Sequence, residues 1–117
     1  MSASETGPTQ VSAENERRGT VYIISDGTGE TAATMTRAAL VQYEHIHINI
    51  VRCKNVRNET QADSVIQEAF ASKAVILHTV VSPALRARIN ELAAAKGIIA
   101  VDLLGPLLNA LDRYFGV

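Results

Sequence analysis

The residues with chemistry to offer are concentrated in one short string, Ser25-Asp26-Gly27-Thr28-Gly29-Glu30-Thr31. Four apolar residues, Val21-Tyr22-Ile23-Ile24, precede it, and a stretch with helical spacing follows. That order predicts a buried strand, a sharp glycine turn and the start of a helix. Gly27 and Gly29 accept backbone angles closed to other residues and let main-chain N–H groups approach a bound group. The helix, expected to run through Tyr43, aims its free N–H groups and positive dipole end at the turn, which suits an anion. Thr28 and Thr31 add hydroxyls for phosphate oxygens. Asp26 and His78 are the candidate catalytic groups: a carboxylate beside the turn, and an imidazole that titrates near neutral pH. Each also has a commoner role, Asp26 as a helix cap and His78 as a hydrogen-bonded core histidine.

Gly27, Thr28, Gly29, Thr31, Ser82 and Asp102 are the candidate phosphate or ligand contacts. Ser82 is first a helix cap, and Asp102 is either a crevice carboxylate or a cap for the helix after it. Glu30 complements the helix dipole. No metal site is expected, because His45 and His47 have no cysteine or carboxylate at ligand spacing.

These residues need a frame. The first strand is expected at residues 20–25. Ala32, Met35, Thr36, Ala39, Leu40 and Tyr43 share one face of the first helix. Ile46, Ile48 and Ile50 alternate with His47, Asn49 and Val51 as in an edge strand. Residues 54–58 read as a polar loop that ends on Asn58, a cap with Gln61 three positions on. The second helix sends Ala62, Val65, Ile66, Ala69 and Phe70 inward. A third, central strand spans residues 74–81. Ser82-Pro83 opens a helix whose inner stripe is Leu85, Ile89, Leu92 and Ala93, and Gly97 ends it. The fourth strand covers residues 98–102. Gly105-Pro106 opens a last helix with Leu107, Leu108, Leu111 and Phe115 on its inner face. Strand and helix alternate four times, which predicts an α/β fold of three layers: a parallel four-stranded sheet, order 2-1-3-4, with helices on both faces. Ligands bind such sheets at the carboxyl ends of the strands, where the strand order reverses. Here the turn after strand one meets the loop after strand three.

Composition narrows the function classes. The chain has 117 residues, 47% of them hydrophobic, enough for one small domain with a core. A formal net charge of −1 and 4% aromatic residues argue against nucleic-acid binding. No long apolar run or signal-peptide pattern is seen, so no membrane partner is expected. The single cysteine, Cys53, cannot close an internal disulfide, which fits a cytoplasmic location. Residues 1–19 are polar and aperiodic and read as a disordered leader, with the domain at residues 20–117. Gly27-Thr28-Gly29-Glu30-Thr31-Ala32 also matches G-x-G-x-x-A, a weak dinucleotide fingerprint. Arg52-Cys53-Lys54 stands where its acidic residue belongs and would suit an NADP-type ligand, but Asp26 would repel a pyrophosphate.

Three strings carry a resemblance to a known family: residues 21–32 with S-D-G-T-G-x-T-A, then Thr79-Val80-Val81-Ser82-Pro83-Ala84-Leu85-Arg86, then Val101-Asp102-Leu103-Leu104-Gly105-Pro106-Leu107-Leu108. They resemble the amino-terminal part of the pyruvate, phosphate dikinase regulatory proteins, a family that includes the phosphoenolpyruvate synthetase regulators. The resemblance implies a bifunctional enzyme. An ADP-dependent Ser/Thr kinase activity inactivates the dikinase or synthetase by phosphorylating a threonine. A phosphate-dependent pyrophosphorylase activity removes that phosphate as pyrophosphate. ADP and inorganic phosphate are the implied ligands of the full-length protein, and the dikinase or synthetase its partner. The family's P-loop lies in a carboxy-terminal half, and no G-x-x-x-x-G-K-[ST] string occurs here. The expectation is therefore an amino-terminal domain that is inactive alone and retains no ADP. A non-catalytic docking or homodimerisation module is the alternative, and a dinucleotide-binding domain the weaker one.

Overall fold

The computed structural model describes residues 17–117, so the expectation for residues 1–16 lies outside the described residues. The sheet has four parallel strands in the order β2-β1-β3-β4. The strands are β1 (Arg17–Ile24), β2 (Ile46–Cys53), β3 (Val75–His78) and β4 (Ala100–Asp102). The helices between and after them are α1 (Glu30–Leu40), α2 (Glu59–Ala71), α3 (Pro83–Ala95) and α4 (Gly105–Phe115). The predicted architecture and strand order hold. β1 begins three residues earlier than expected, because Arg17, Arg18 and Gly19 pair with Ile46, His47 and Ile48. Residues 17–19 therefore belong to the sheet and not to a leader.

The two faces of the sheet follow the period of two along β1. Tyr22 and Ile24 join Ile76 and Val80 under α2 and α3, through Ala62, Ile66, Ala69, Leu85 and Ile89. Val21 and Ile23 point the other way, against Ala32 and Ala33 of α1. β1 is buried on both faces, as its continuous apolar run requires. The caps of α2 and α3 form as read: Asn58 Oδ1 accepts from Gln61 N at 2.8 Å, and Ser82 Oγ accepts from Leu85 N at 3.3 Å. Gln61 completes its box one residue early, with Oε1 accepting from Arg57 N at 2.7 Å.

Two inner faces differ from expectation. α1 ends at Leu40, followed by a 3₁₀ turn at Val41–Tyr43, and buries Ala32, Ala33 and Thr36. Met35, Ala39 and Tyr43 are exposed. The small side chains Ala32 and Ala33 set the contact, because they let the helix lie close on β1. On α2, likewise, Phe70 is exposed rather than buried. In α4 the expected inner face is largely uncovered: Leu107 is 55% exposed, Leu111 40% and Phe115 66%. Only Gly105 of that helix is buried. α4 leaves from the edge strand β4, so only its first turn meets the body of the domain. β3 and β4 are also shorter than read, although Val80 beyond β3 remains fully buried.

α2 and α3 are bridged by a two-pronged ion pair, Arg88 Nε to Asp63 Oδ1 at 3.1 Å and Arg88 Nη2 to Asp63 Oδ2 at 2.9 Å. The guanidinium's hydrogen bonds hold the Asp63 carboxyl below its ordinary value. A depressed carboxylate pKa contributes stability above the unfolded value and loses it as pH falls through the folded one. Both side chains are substantially open to water, so the effect is small. Asp63→Asn should barely move the melting temperature at neutral pH and should slightly flatten its fall below the ordinary aspartate range.

Candidate functional site

The glycine turn is built by three strand ends converging. β1 lies between β2 and β3 with all carboxyl ends together, so the loop after β1 has a neighbour on each side. On the β2 side, Asn55 N donates to Gly27 O and Val56 N to Ser25 O, each at 2.9 Å. On the β3 side, Asp26 Oδ2 accepts from Val81 N at 2.9 Å. Gly29 sits at φ 79°, a left-handed conformation, and is the N-cap of α1 with no side-chain cap bond. Asp26 therefore does not cap α1. Its carboxylate reaches across the crevice and fixes the main chain directly ahead of Ser82.

Between α1, the loop after β3 and the start of α4 lies a crevice of about 400 Å³. Asp26, Thr28, Gly29 and Thr31 line it, as do Ser25, Thr79 and an apolar wall that includes Met35, Leu103 and Leu107. The main-chain N–H groups of Thr28, Gly29, Thr31 and Ala32 find no acceptor among the described residues. Free donors are what a helix start offers. Two of the loop's donors are already used: Ser25 Oγ accepts from Gly27 N at 3.0 Å, and Thr28 Oγ1 from Glu30 N at 3.4 Å. Arg57 Nε donates to Asp26 O at 3.0 Å, and Arg52 reaches Thr28 O at 3.5 Å. Two guanidiniums thus hold carbonyls of the turn, and neither lines the crevice, whose charged lining residues are Asp26 and Glu30.

The other four candidates lie elsewhere. Gly27 is next to the crevice but does not line it. Ser82 is spent on capping α3. Asp102 Oδ1 accepts from Leu104 N at 3.0 Å and Gly105 N at 2.6 Å, so it caps the start of α4. His78 is 0% exposed; its Nε2 is 2.9 Å from Asn90 Oδ1, and its Nδ1 has no partner. Cys53 is half-buried, and burial pushes its thiol up, with Glu68 adding to the effect. It is a poor nucleophile for that reason. No cluster of metal-ligating side chains occurs among the described residues. None of their helices is long and apolar enough to cross a membrane.

Sequence reading missed Thr79 and Arg57. Thr79 was within the expected strand, and Arg57 within a loop read only as polar. That loop also buries Val56, a lone apolar residue among polar ones and the one signal it carried. A second hollow of about 330 Å³, lined by Phe70, Lys73 and Lys96, lies at the amino-terminal end of β3 and β4, away from these groups.

The kinase/pyrophosphorylase family matches residues 21–117, which hold the whole sheet except the first half of β1, and every residue of the crevice. The chain belongs to the kinase/pyrophosphorylase family. It is 60% identical over 97 residues to a protein of Bdellovibrio bacteriovorus named "Putative pyruvate, phosphate dikinase regulatory protein", covering 83% of this chain and 34% of that protein. Proteins with the same name from Pelobacter propionicus and Desulfitobacterium hafniense are 38% identical over 96 residues and 40% over 97, covering 82% and 83% of this chain and 34% and 36% of theirs. The chain thus spans about a third of the length of the curated relatives it matches. Within this family member, Asp26→Asn keeps an acceptor opposite Val81 N and removes only its charge. It should cost less than about 1.5 kcal/mol, read by urea denaturation.

Proposed function

We propose that this chain supplies the phosphate-facing crevice of a bifunctional regulator. The activity proposed for the full-length enzyme is ADP-dependent phosphorylation of a threonine on pyruvate, phosphate dikinase or phosphoenolpyruvate synthetase, and its phosphate-dependent reversal with release of pyrophosphate. The observation that carries this reading is the Asp26–Val81 bond at 2.9 Å, which joins the glycine turn to the loop before Ser82 at one end of the sheet. With it come the unengaged N–H groups at residues 28, 29, 31 and 32. Thr28, Thr31 and Thr79 line the same crevice.

Main-chain donors and hydroxyls fit a phosphate or pyrophosphate group, which needs many hydrogen-bond donors; the Asp26 carboxylate, which opposes an anion, is engaged by Val81 N. They offer no counterpart to a P-loop lysine, so the nucleotide is assigned to the part of the family's length outside this chain. In this division of labour the crevice binds and orients a phosphate group, and its apolar wall limits access by water.

The test is a titration of the chain with inorganic phosphate, pyrophosphate, ADP and NADPH, followed by amide shifts. Responses to phosphate or pyrophosphate confined to residues 27–31 and 79–82 support the crevice. No response to any of them, with retained binding to the dikinase, overturns it in favour of a docking module. Shifts specific to NADPH near Arg52 would favour a dinucleotide site instead.

A further inference from the structure

The residue that joins the third loop to the other two is not among the candidate site residues that the sequence offers. Arg86, in the first turn of α3, is 12% exposed in its side chain. Its guanidinium donates to Val81 O through a short bond and approaches Val80 O at 3.5 Å. Its Nε lies 3.5 Å from Asp102 Oδ2. Asp102 in turn holds Leu104 N and Gly105 N with its other oxygen. Val81 is thus gripped at both ends of one residue, its N–H by Asp26 and its carbonyl by Arg86. A Cβ on Gly105 would stand 2.2 Å from Asp102 Oδ2, so any larger residue there would displace the carboxylate.

We propose that Arg86 is the positioning residue of the crevice. It fastens the loop after β3 to the carboxylate that opens α4. Through Val81 and Asp26 it fastens both to the glycine turn. Leu103, Leu104 and Leu107, which form part of the crevice wall, depend on Asp102 for their placement, and Asp102 on Arg86. The guanidinium suits this task because it presents several donors in a rigid plane, so one side chain can hold two carbonyls and a carboxylate at fixed angles. An ammonium at the same place would keep the charge and lose the geometry.

The test compares the wild-type chain with Arg86→Ala, Arg86→Lys and Asp102→Asn by amide hydrogen exchange, then by pyrophosphate titration. Loss of a buried charge-assisted contact should speed exchange about tenfold or more. Arg86→Ala is expected to do so at Val81, Leu104 and Gly105 while leaving Ile23 and Ile76 protected. Arg86→Lys should fall between wild type and Arg86→Ala. Asp102→Asn keeps the oxygen that caps α4 but loses the ion pair, so exchange should rise at Val81, one loop away. Added guanidinium ion should partly restore the slow exchange in Arg86→Ala, which a general loss of packing would not allow. Unchanged exchange at Val81 in both Arg86→Ala and Asp102→Asn overturns the proposal, and so does a rise spread evenly over the sheet. The exchange arm does not depend on any ligand. The pyrophosphate arm rests on the proposed function: weakened binding in Arg86→Ala supports both. Faster local exchange in a chain that never binds pyrophosphate supports the positioning role and overturns the phosphate reading alone.

Discussion

Gly29→Val should abolish the pyrophosphate response of this chain and lower its stability by about 1–3 kcal/mol. Two separate effects add. Gly29 sits at φ 79°, where a β-branched side chain clashes with its own backbone. A Cβ there would also stand 2.9 Å from Cγ and 3.1 Å from Cδ of Arg52, and 3.7 Å from Cγ2 of Ile23. The Arg52 stem can swing away into solvent, because the residue is exposed. Doing so breaks its contact with Thr28 O and moves a guanidinium off the turn. The main chain must shift too, and with it the free N–H groups of residues 28, 29, 31 and 32. Gly29→Ala is the milder control, with the same angle problem and no branching. Urea denaturation gives the stability change, and amide-shift titration the binding. A Gly29→Val chain that stays folded and still binds pyrophosphate with unchanged affinity would remove the turn from the site.

The second large effect concerns His78. Sequence alone offers it as a catalytic imidazole. Its position in β3 opposite Ile24 and Asp102 turns it instead into the layer between the sheet and α3. It has no accessible surface, and its one hydrogen bond goes to Asn90. His78→Ala is expected to destabilise the fold by about 2–4 kcal/mol, through a cavity and a lost hydrogen bond. Pyrophosphate shifts at residues 27–31 should survive wherever the variant is folded. Thermal melts and the same titration check both halves. Loss of binding in a variant of unchanged stability would return His78 to the crevice.

These expectations also mark what a linear reading could carry. Val21-Tyr22-Ile23-Ile24 could be read as a doubly covered strand, because a run without polar residues needs apolar neighbours on both sides. Asn58 and Ser82-Pro83 could be read as helix starts because capping is a local bond between a side chain and an amide three residues on. Strand order followed from the same kind of evidence: the alternating β2 marks an edge, and right-handed crossovers leave few other arrangements.

Where the protein departed from that reading, distant residues decided. Whether Asp26 caps its own helix depends on how near Val81 comes, and the two are 55 positions apart. Arg86 and Arg57 look like solvated charges until folding sets carbonyl oxygens in front of them. The inner face of α4 was apolar by spacing, yet burial needs a surface opposite, and among the described residues that helix largely lacks one. Local composition therefore determined where the strands lie along the chain, the caps of α2 and α3 and the glycine turn. Only the tertiary structure decided what Asp26, His78, Arg86 and Asp102 hold, because a carboxylate or guanidinium bonds whatever the fold brings within about 3 Å.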